Sequence, residues 1–280
     1  MMFDKVETIS KSLIQHGPNN DRVYLMKLHH QERVDQLIDQ LFNLAILKRY
    51  SKIFAKVPGS ALPLFLENNF KMEAAVPGLY PGEEQGYFLG KYFNAKRGYL
   101  SKQERKLFNE VKESALNADK KLDNHLPDSF DIRKLDAQDL PKLARVYKQV
   151  FQFYPFPIFD EFYLLDNLKN DVQYFGVYSG DELVAASAAE MDKKGRNVEM
   201  TDFATCTKYR GKNLSYFLLR YMENQMMAEG MQTAYTIARS VSYGMNKTFA
   251  RLGFYFGGTL VNNTLIGEEI ESMNVWYKSF

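Results

Sequence analysis

Two acidic residues precede a basic, glycine-containing stretch in the second half of the chain. Glu199 and Asp202 lie in a strand-like segment, and the loop that follows carries Gly211 among basic residues. A strand, such a loop and a helix aim backbone N–H groups and the positive end of a helix dipole at one point, which suits a phosphate or pyrophosphate. Carboxylates beside that point suit proton transfer or cation binding. The pattern predicts transfer from a phosphorylated carrier to an amine.

Alternating strands and helices from residue 130 onward must position these groups. The helix predicted over 214–228 carries apolar residues along one side, and a shorter helix over 243–252 ends at Gly253. Strands are predicted over 130–135, 172–178, 182–191, 233–238, 254–260 and 271–277. This alternation predicts an α/β (α+β) fold.

An aromatic segment over 151–162 interrupts this succession. It contains six aromatic residues with Pro155 and Pro157 between them. One interpretation is that the rings anchor a loop to the core. The other is that the segment covers a substrate and excludes water.

Composition limits the classes of function. Of the 280 residues 45% are hydrophobic and 25% are charged, and the net charge is +2, so nothing points to nucleic acid or to a membrane surface. No apolar run approaches the roughly 20 residues that a membrane helix needs. A single cysteine fits a reducing compartment. We expect a cytoplasmic protein.

The first half resembles the second at an offset of 184 residues. Ile53, Val57 and Phe65 fall on Ile237, Val241 and Phe249, and the order of elements agrees. The counterpart of the basic loop, residues 27–32, lacks glycine, so backbone could not approach a pyrophosphate there. It contains His29 and His30, but adjacent histidines without further ligands do not indicate a metal site.

The repeat suggests three parts. We expect a non-catalytic half-copy over residues 1–100 and a helical linker over 101–129. A catalytic domain is expected over 130–280. Within the linker, Ser101 and Glu104 have the spacing of a capping box for a helix over 102–122.

The basic loop resembles the acetyl-CoA motif of the GNAT N-acetyltransferases. That motif reads Gln/Arg-x-x-Gly-x-Gly/Ala, and here Lys208, Gly211 and Asn213 take its three defined positions. The order of elements over 130–280 also follows that family. The resemblance implies a GNAT fold with a mixed central sheet, preceded by a degenerate GNAT-like half-copy.

Longer stretches resemble the β-lysine N-acetyltransferase family. They are residues 22–28, 199–205, 234–239, 245–246 and 271–278. The resemblance implies transfer of acetyl from acetyl-CoA, without a metal, to the side-chain amine of β-lysine, which gives an osmolyte used under salt stress. Another amine as acceptor, and a non-catalytic acyl-CoA-binding module, are the alternatives. The expected partner is a small-molecule amine, and a homodimer is one option for assembly.

Under this resemblance a carboxylate must take the proton of the amine. Glu199 and Asp202 are three apart on a strand, so their side chains point to opposite faces unless a bulge intervenes. Asp202 is the preferred base, and Glu199 could bind the second ammonium, act through water or pair structurally. Many family members place a tyrosine where this chain has Phe249, so Tyr243 is the candidate acid.

The remaining candidates bind the two substrates. A backbone N–H near Thr205 is the expected oxyanion donor. Arg239 would bind the substrate carboxylate, and Glu271 and Asn274 would complete the amine pocket. The residues expected to hold acetyl-CoA are Ala204, Thr205, Lys208, Tyr209, Arg210, Gly211, Lys212, Asn213, Leu214, Ser215 and Asn246.

Overall fold

One continuous mixed sheet runs through the computed structural model, which describes residues 3–119 and 125–280. The helices in these residues are α1 (Val34–Lys48), α2 (Leu62–Glu67), α3 (Lys102–Leu116), α4 (Leu140–Val150), α5 (Glu161–Lys169), α6 (Leu214–Ala228) and α7 (Tyr243–Arg251). The strands are β1 (Lys5–Ile9), β2 (Ser12–Gly17), β3 (Arg22–Lys27), β4 (Lys52–Pro58), β5 (Lys71–Tyr80), β6 (Glu84–Tyr92), β7 (Asp131–Lys134), β8 (Val172–Ser179), β9 (Glu182–Asp192), β10 (Asn197–Thr205), β11 (Thr233–Arg239), β12 (Tyr255–Ile266) and β13 (Glu269–Ser279).

The strand order shows two similar halves joined at their edges. It is β1-β2-β3-β4-β6-β5-β12-β13-β11-β10-β9-β8-β7. β3 pairs in parallel with β4, and β10 pairs in parallel with β11. Both parallel pairs are linked by a helix, as crossover connections require, α1 in the first half and α6 in the second.

A local twofold relation centres on the junction of β5 and β12. Ala74 pairs there with Gly258, and these two residues are themselves 184 apart (258 − 74). The sheet irregularities repeat at the same offset. The irregularity between Met72 and Ala74 in β5 matches the one between Phe256 and Gly258 in β12. A second, between Val76 and Tyr80 in β5, matches the one between Leu260 and Thr264 in β12.

Helices cover the two faces of the second half unequally. On one face, α6 and α7 pack with Val198, Met200 and Trp276 in a core that also takes up Ala115 of α3. On the other face, α4 and α5 cover β7, β8 and β9.

The first half carries α1 and α2 on one face, and its other face packs against β11 and β13 of the second half. That face of the first half lies on the same side of the sheet as α4 and α5, because Tyr24 of β3 and Tyr154 both lie near Glu190 of β9. The region between that face and the two helices is the cleft.

The predicted capping box of α3 is confirmed. The Glu104 N–H donates to Ser101 Oγ at 3.2 Å, and the Ser101 N–H donates to Glu104 Oε2 at 2.7 Å. The helix ends at Leu116, with Asn117 as its C-cap, rather than at residue 122. Residues 120–122 of the predicted helix, and part of the predicted 101–129 linker, lie outside the described residues.

Buried polar groups hold the two halves together. The Lys52 ammonium lies 2.8 Å from Glu73 Oε2 and donates to the Val261 carbonyl of β12 at 2.8 Å. The Arg97 guanidinium donates to the Asn262 carbonyl at 2.7 Å. Lys52 is completely buried, and burial lowers its pKa to about 8 although Glu73 opposes that shift. These contacts make the junction a continuous interior rather than a flexible link.

Candidate active site

Two parallel strands separate beside the acidic residues. β10 and β11 pair from Asn197–Thr233 to Glu199–Tyr235, and no pair is formed beyond that point along these described strands. β11 continues beside β13 as far as Arg239, so a gap opens between β10 and β11. The gap lies next to the basic loop, which follows the end of β10.

A backbone donor faces this gap. The Cys206 N–H donates to the Val184 carbonyl of β9 at 2.9 Å, and Thr205 lies opposite Ala185 in the same register. Because hydrogen-bonded and non-bonded pairs alternate in an antiparallel ladder, the Thr205 N–H points away from β9. It therefore occupies the position that we predict for the oxyanion donor.

A bulge brings Asp202 to the cleft. The pairing of β10 with β9 shifts between Thr201 and Ala204, and Asp202 has a left-handed backbone with φ 58°. An aspartate tolerates this conformation better than most residues do. This bulge is the exception that the sequence-based prediction allows: it reverses the alternation of β10, so Glu199 and Asp202 face the same side of the sheet.

Asp202 is held by two hydroxyl groups. The Tyr154 hydroxyl donates to Asp202 Oδ1, and the Thr201 hydroxyl donates to the same oxygen at 3.2 Å. Tyr154 belongs to the aromatic segment 151–162, where Phe153 and Ile158 are buried in the core. That segment thus anchors a loop in the core and also supplies a side chain to the carboxylate.

Glu199 lies in a row of polar side chains that crosses three strands. Its direct partner on β9 is Glu190, and its partner on β11 is Tyr235. Tyr235 lies beside the Glu199 carboxylate and lowers its pKa. Lys56, from β4 of the first half, donates to the Tyr235 hydroxyl at 3.2 Å. The first half therefore reaches the acidic group of the second.

The three carboxylates hold protons more tightly than carboxylates in water. The surrounding protein atoms are the main cause, and they raise the pKa of Glu190 to about 8 and that of Asp202 to about 6, although the Glu190 side chain is itself exposed to solvent. The pKa of Glu199 is also raised by burial, against the opposing effects of the Lys56 charge and Tyr235. Negative charge on Glu199 and Asp202 adds to the shift of Glu190. This arrangement suits cationic ligands and proton transfer near neutral pH.

Four tyrosines surround these carboxylates on the side of α4 and α5. Burial raises the pKa of each phenol, and the charges of Asp202 and Glu190 add to the shift. They are Tyr147 of α4, Tyr154, Tyr163 of α5 and Tyr174 of β8. Neutral phenols beside carboxylates form a polar wall that does not repel a cation.

The basic loop has the geometry of an anion cradle. Gly211 has φ 80°, and a side chain added there would meet no atom within 4 Å, so the loop backbone is open to a ligand. Asn213 has φ 56° and precedes the first turn of α6, whose N-terminus faces the loop. The Arg210 guanidinium donates to the Thr205 carbonyl at 3.3 Å, and Thr205 Oγ1 lies 3.3 Å from Ser215 Oγ.

The other loop residues divide into exposed and buried ones. Lys208 and Lys212 are exposed, and the Tyr209 hydroxyl donates to Glu182 at 2.7 Å. Ala204 and Leu214 are buried in the cores on opposite faces of the sheet. These two residues can offer a ligand only their backbone.

Two residues predicted to bind ligands, Asn246 and Asn274, are buried and hydrogen-bond to each other. Asn246 is fully buried and accepts from Asn274 at 2.9 Å and from Trp276 at 2.8 Å. Its own amide donates to the carbonyls of Arg239 and Ser242. Asn246 therefore does not bind cofactor through its side chain, and Asn274, which is 1% exposed, does not face a substrate.

Two other predicted substrate residues bind each other. The Arg239 guanidinium donates to both oxygens of Glu271, at 2.8 and 2.6 Å. The Arg239 side chain is half exposed, so its binding of a substrate carboxylate stays a prediction, with Glu271 as its partner in the free protein. Tyr243 is 42% exposed at the start of α7, whereas Phe249 is buried against Phe203.

The structure also contains site residues that the sequence prediction missed. Glu190, Tyr154, Tyr235 and Lys56 all contact or face the carboxylates. Glu190 has a detectable signal, because it is an acidic residue that directly follows the apolar run of β9. The other three depend on contacts between distant segments.

No metal centre is apparent in the described parts of the chain. Residues 3–119 and 125–280 contain no group of three or more histidine, cysteine, aspartate or glutamate side chains arranged to hold a metal. The rings of His29 and His30 lie 4.4 Å apart in the loop before α1. Among the described helices, none has the length and hydropathy to cross a membrane.

Comparison with known proteins gives consistent results. A profile of the "Acetyltransferase (GNAT) family" matches residues 137–254. The chain is 40% identical over 278 residues, 99% of both chains, to a "Beta-lysine N(6)-acetyltransferase" of Methanococcus maripaludis. A Methanosarcina mazei protein of the same name is 32% identical over 69% of this chain and 71% of its own. The "N-acetyltransferase YodP" of Bacillus subtilis is 28% identical over 95% of each.

Proposed function

This chain belongs to the GNAT family of acetyltransferases, and on that premise we propose that it transfers acetyl from acetyl-CoA to the N6 amine of β-lysine. The observation that carries the proposal is the cluster of Glu190, Glu199 and Asp202 beside the gap between β10 and β11. The likeness over 99% of the chain to a β-lysine N(6)-acetyltransferase supports the choice of acceptor.

The cluster suits an acceptor with two amines. β-Lysine carries two ammonium groups and one carboxylate at neutral pH, since amines of this type have pKa values near 10.4. Glu199 and Asp202 can neutralise the two ammonium groups, and Glu190, which keeps its proton longer than Asp202, can hydrogen-bond beside them. Tyr154 orients Asp202, and Tyr235 lies beside Glu199.

Asp202 is our proposed base. Burial raises the pKa of Asp202 less than that of Glu190, so Asp202 gives up its proton first and is the more readily available acceptor near neutral pH. Asp202 also lies at the bulge where the strands have separated. Glu199 then holds ammonium or relays the proton through water. Making a lysine-type amine neutral at pH 7 costs roughly 4–5 kcal/mol, which a nearby carboxylate offsets.

The reaction forms a C–N bond and breaks a C–S bond. Acetyl-CoA supplies the acetyl group as a thioester. The neutral N6 amine attacks the carbonyl carbon, and the Thr205 N–H stabilises the negative charge on its oxygen. The basic loop around Gly211, including Lys208 and Lys212, and the N-terminus of α6 hold the pyrophosphate.

The leaving thiolate needs little assistance. A thiol pKa near 8.5 makes the thiolate a stable leaving group. Tyr243 is the candidate proton donor, because Phe249 cannot donate and is buried. Tyr243→Phe tests this role, and a turnover loss of at least about tenfold supports it.

In this proposal the second half of the chain carries out the reaction, and the first half supports it. Residues 130–280 form the catalytic unit, since they hold the carboxylates, the gap and the basic loop. Residues 1–100 form a non-catalytic half-copy that closes the cleft and supplies Lys56. The connecting segment, residues 101–129, carries α3, which packs on α7.

An amine panel with acetyl-CoA tests the function. Thiol release is measured with β-lysine, α-lysine and spermidine, and the acetylated nitrogen is identified by NMR. We expect the highest kcat/KM for β-lysine, with the acetyl group on N6. Equal or lower values for β-lysine would refute the assignment of the acceptor.

We also propose that the product acts as a compatible solute. Acetylation removes one positive charge and leaves one ammonium and one carboxylate, so the product has no net charge. A strain that lacks this protein should accumulate less N6-acetyl-β-lysine at high salt. Unchanged accumulation would exclude this role.

A further inference from the structure

Lys56 projects from the non-catalytic half into the acidic cleft. Its strand, β4, is in the first half, and its partly buried side chain crosses to the second. The ammonium donates to the Tyr235 hydroxyl at 3.2 Å and lies 5.6 Å from the centre of that ring. Tyr235 in turn is the direct cross-strand partner of Glu199. A positive charge is thus placed within the group of carboxylates.

Lys56 retains hydrogen-bonding capacity in the described structure. An ammonium group has three N–H donors, and Tyr235 is the acceptor that the described residues give Lys56. Nearby cations are already paired with carboxylates: Arg239 with Glu271, and Lys52 with Glu73. Lys56 therefore differs from them, because its strongest hydrogen-bond partner is a neutral phenol.

We propose that Lys56 binds the carboxylate group of the acceptor. This inference rests on the proposed function, and it assigns the substrate carboxylate to a residue of the first half. Among the described residues, the carboxyl groups of Glu190, Glu199 and Asp202 and the ammonium of Lys56 lie together in the cleft, which gives partners for two ammonium groups and one carboxylate in the acceptor. Lys56 then selects an amino acid over a diamine of equal length.

The rival role for Lys56 is that of a counter-ion for Glu199. The groups facing Glu199 are Glu190 of β9, Asp202 of β10, Tyr235 of β11, Tyr24 of β3 and Lys56 of β4. In the rival role, loss of the Lys56 charge slows the reaction with every acceptor and moves the pH profile. In the proposed role, the loss depends on whether the acceptor has a carboxylate.

Three acceptors separate these roles. β-Lysine has all three charged groups, 6-aminohexanoate lacks the second amine, and 1,4-diaminopentane lacks the carboxylate. Kinetics are measured for the wild type, Lys56→Met and Lys71→Met, the last being an exposed lysine of the same half. For Lys56→Met we expect KM to rise ~10- to 100-fold with the first two acceptors and to stay within about twofold for the diamine. Lys71→Met should match the wild type.

Other results overturn the proposal. An equal loss with all three acceptors and a shifted pH profile indicate the counter-ion role, and unchanged KM values exclude both roles. Thermal unfolding checks that Lys56→Met folds, and Lys56→Gln is the second neutral variant. If the wild type acetylates none of the compounds, the proposed function fails. Calorimetric binding of 6-aminohexanoate and 1,4-diaminopentane to both proteins then still tests carboxylate recognition.

Discussion

Glu190 and Glu199 are direct cross-strand partners on β9 and β10, so their carboxylates face the same cleft. Like charges in this relation repel, and proteins usually avoid it. Here the repulsion is relieved because the surrounding protein and the negative charges of Glu199 and Asp202 raise the pKa of Glu190, which favours its protonated form. A dicationic acceptor provides the missing positive charge, which gives the cleft affinity for the ligand that we propose.

Removing either central carboxylate should impair turnover. We expect Asp202→Asn to lower kcat by about 100-fold or more, as for loss of a general base, and Glu199→Gln by a smaller factor. The affinity for acetyl-CoA, measured by calorimetry, should change little in both. Near-normal turnover in both variants would show that neither residue is the base.

The raised pKa of Glu190 should appear in the pH dependence of stability. Between its ordinary value of 4.5 and about 8 the folded state binds more protons than the unfolded state, so the free energy of unfolding falls as pH rises through this window. In Glu190→Gln this fall should be shallower. Urea unfolding at pH 5, 7 and 9 measures it, with Glu67→Gln on α2 as the control, because both side chains are exposed and only Glu190 lies beside Glu199 and Asp202. If the free energy of unfolding fell equally with pH in Glu190→Gln and in the wild type, the raised pKa of Glu190 would be contradicted.

The basic loop can be tested with two matched glycines. Gly211 and Gly230 have φ of 80° and 81°, and neither has an atom within 4 Å of an added Cβ. Alanine at either position should cost about 1–2 kcal/mol of stability through backbone strain alone. The KM for acetyl-CoA should rise only in Gly211→Ala, since only that loop faces the gap. Equal KM values in the two variants would argue against the cradle.

Gly258 at the centre of the twofold relation should tolerate no side chain. An added Cβ would lie 2.2 Å from the Glu73 carbonyl oxygen and 2.6 Å from the Ala74 Cα, both of which are backbone atoms. Gly258→Ala should therefore cost at least about 3 kcal/mol. Gly267→Ala, at an open turn with φ 64°, should cost only about 1 kcal/mol. Denaturant unfolding measures the free energy of unfolding of both variants. Equal losses of stability would mean that β5 and β12 can move apart at little cost.

The buried ion pair between the halves gives a further test. Lys52→Met leaves the Glu73 carboxylate, which is 5% exposed, without its cation and should cost about 3–5 kcal/mol. Lys5→Met removes an exposed pair with Glu7 and should stay within about 1 kcal/mol of the wild type. A loss below about 1 kcal/mol for Lys52→Met would show that water reaches the junction.

Local features of this site are predictable from the sequence, and long-range ones are not. The strand, the basic loop at Gly211 and the helix after it follow from residue types over a short stretch. The bulge at Asp202 does not, because its positive φ has no distinct signature in an acidic strand. The places of Tyr154 and Lys56 depend on how separate elements pack, which short-range patterns do not encode.

The predictions for Asn246 and Arg239 meet a similar limit. Both are polar residues near the right strands, yet the buried Asn246 side chain is hydrogen-bonded within the protein, and Arg239 pairs with Glu271. Sequence patterns show that a polar side chain is present but not whether a neighbour already uses it. The repeat was detectable because its offset of 184 residues holds without gaps across β5 and β12.

The Ala74–Gly258 junction has the geometry of a contact between two identical subunits, but one chain forms it. Its formation is unimolecular, so dilution cannot separate the halves as it would separate a dimer. Each side is also encoded separately, so a substitution on one side is not copied to the other. Lys56 has Ser240 as its counterpart at the 184-residue offset. A single covalent chain can thus give one half the anion cradle and the other half a cation.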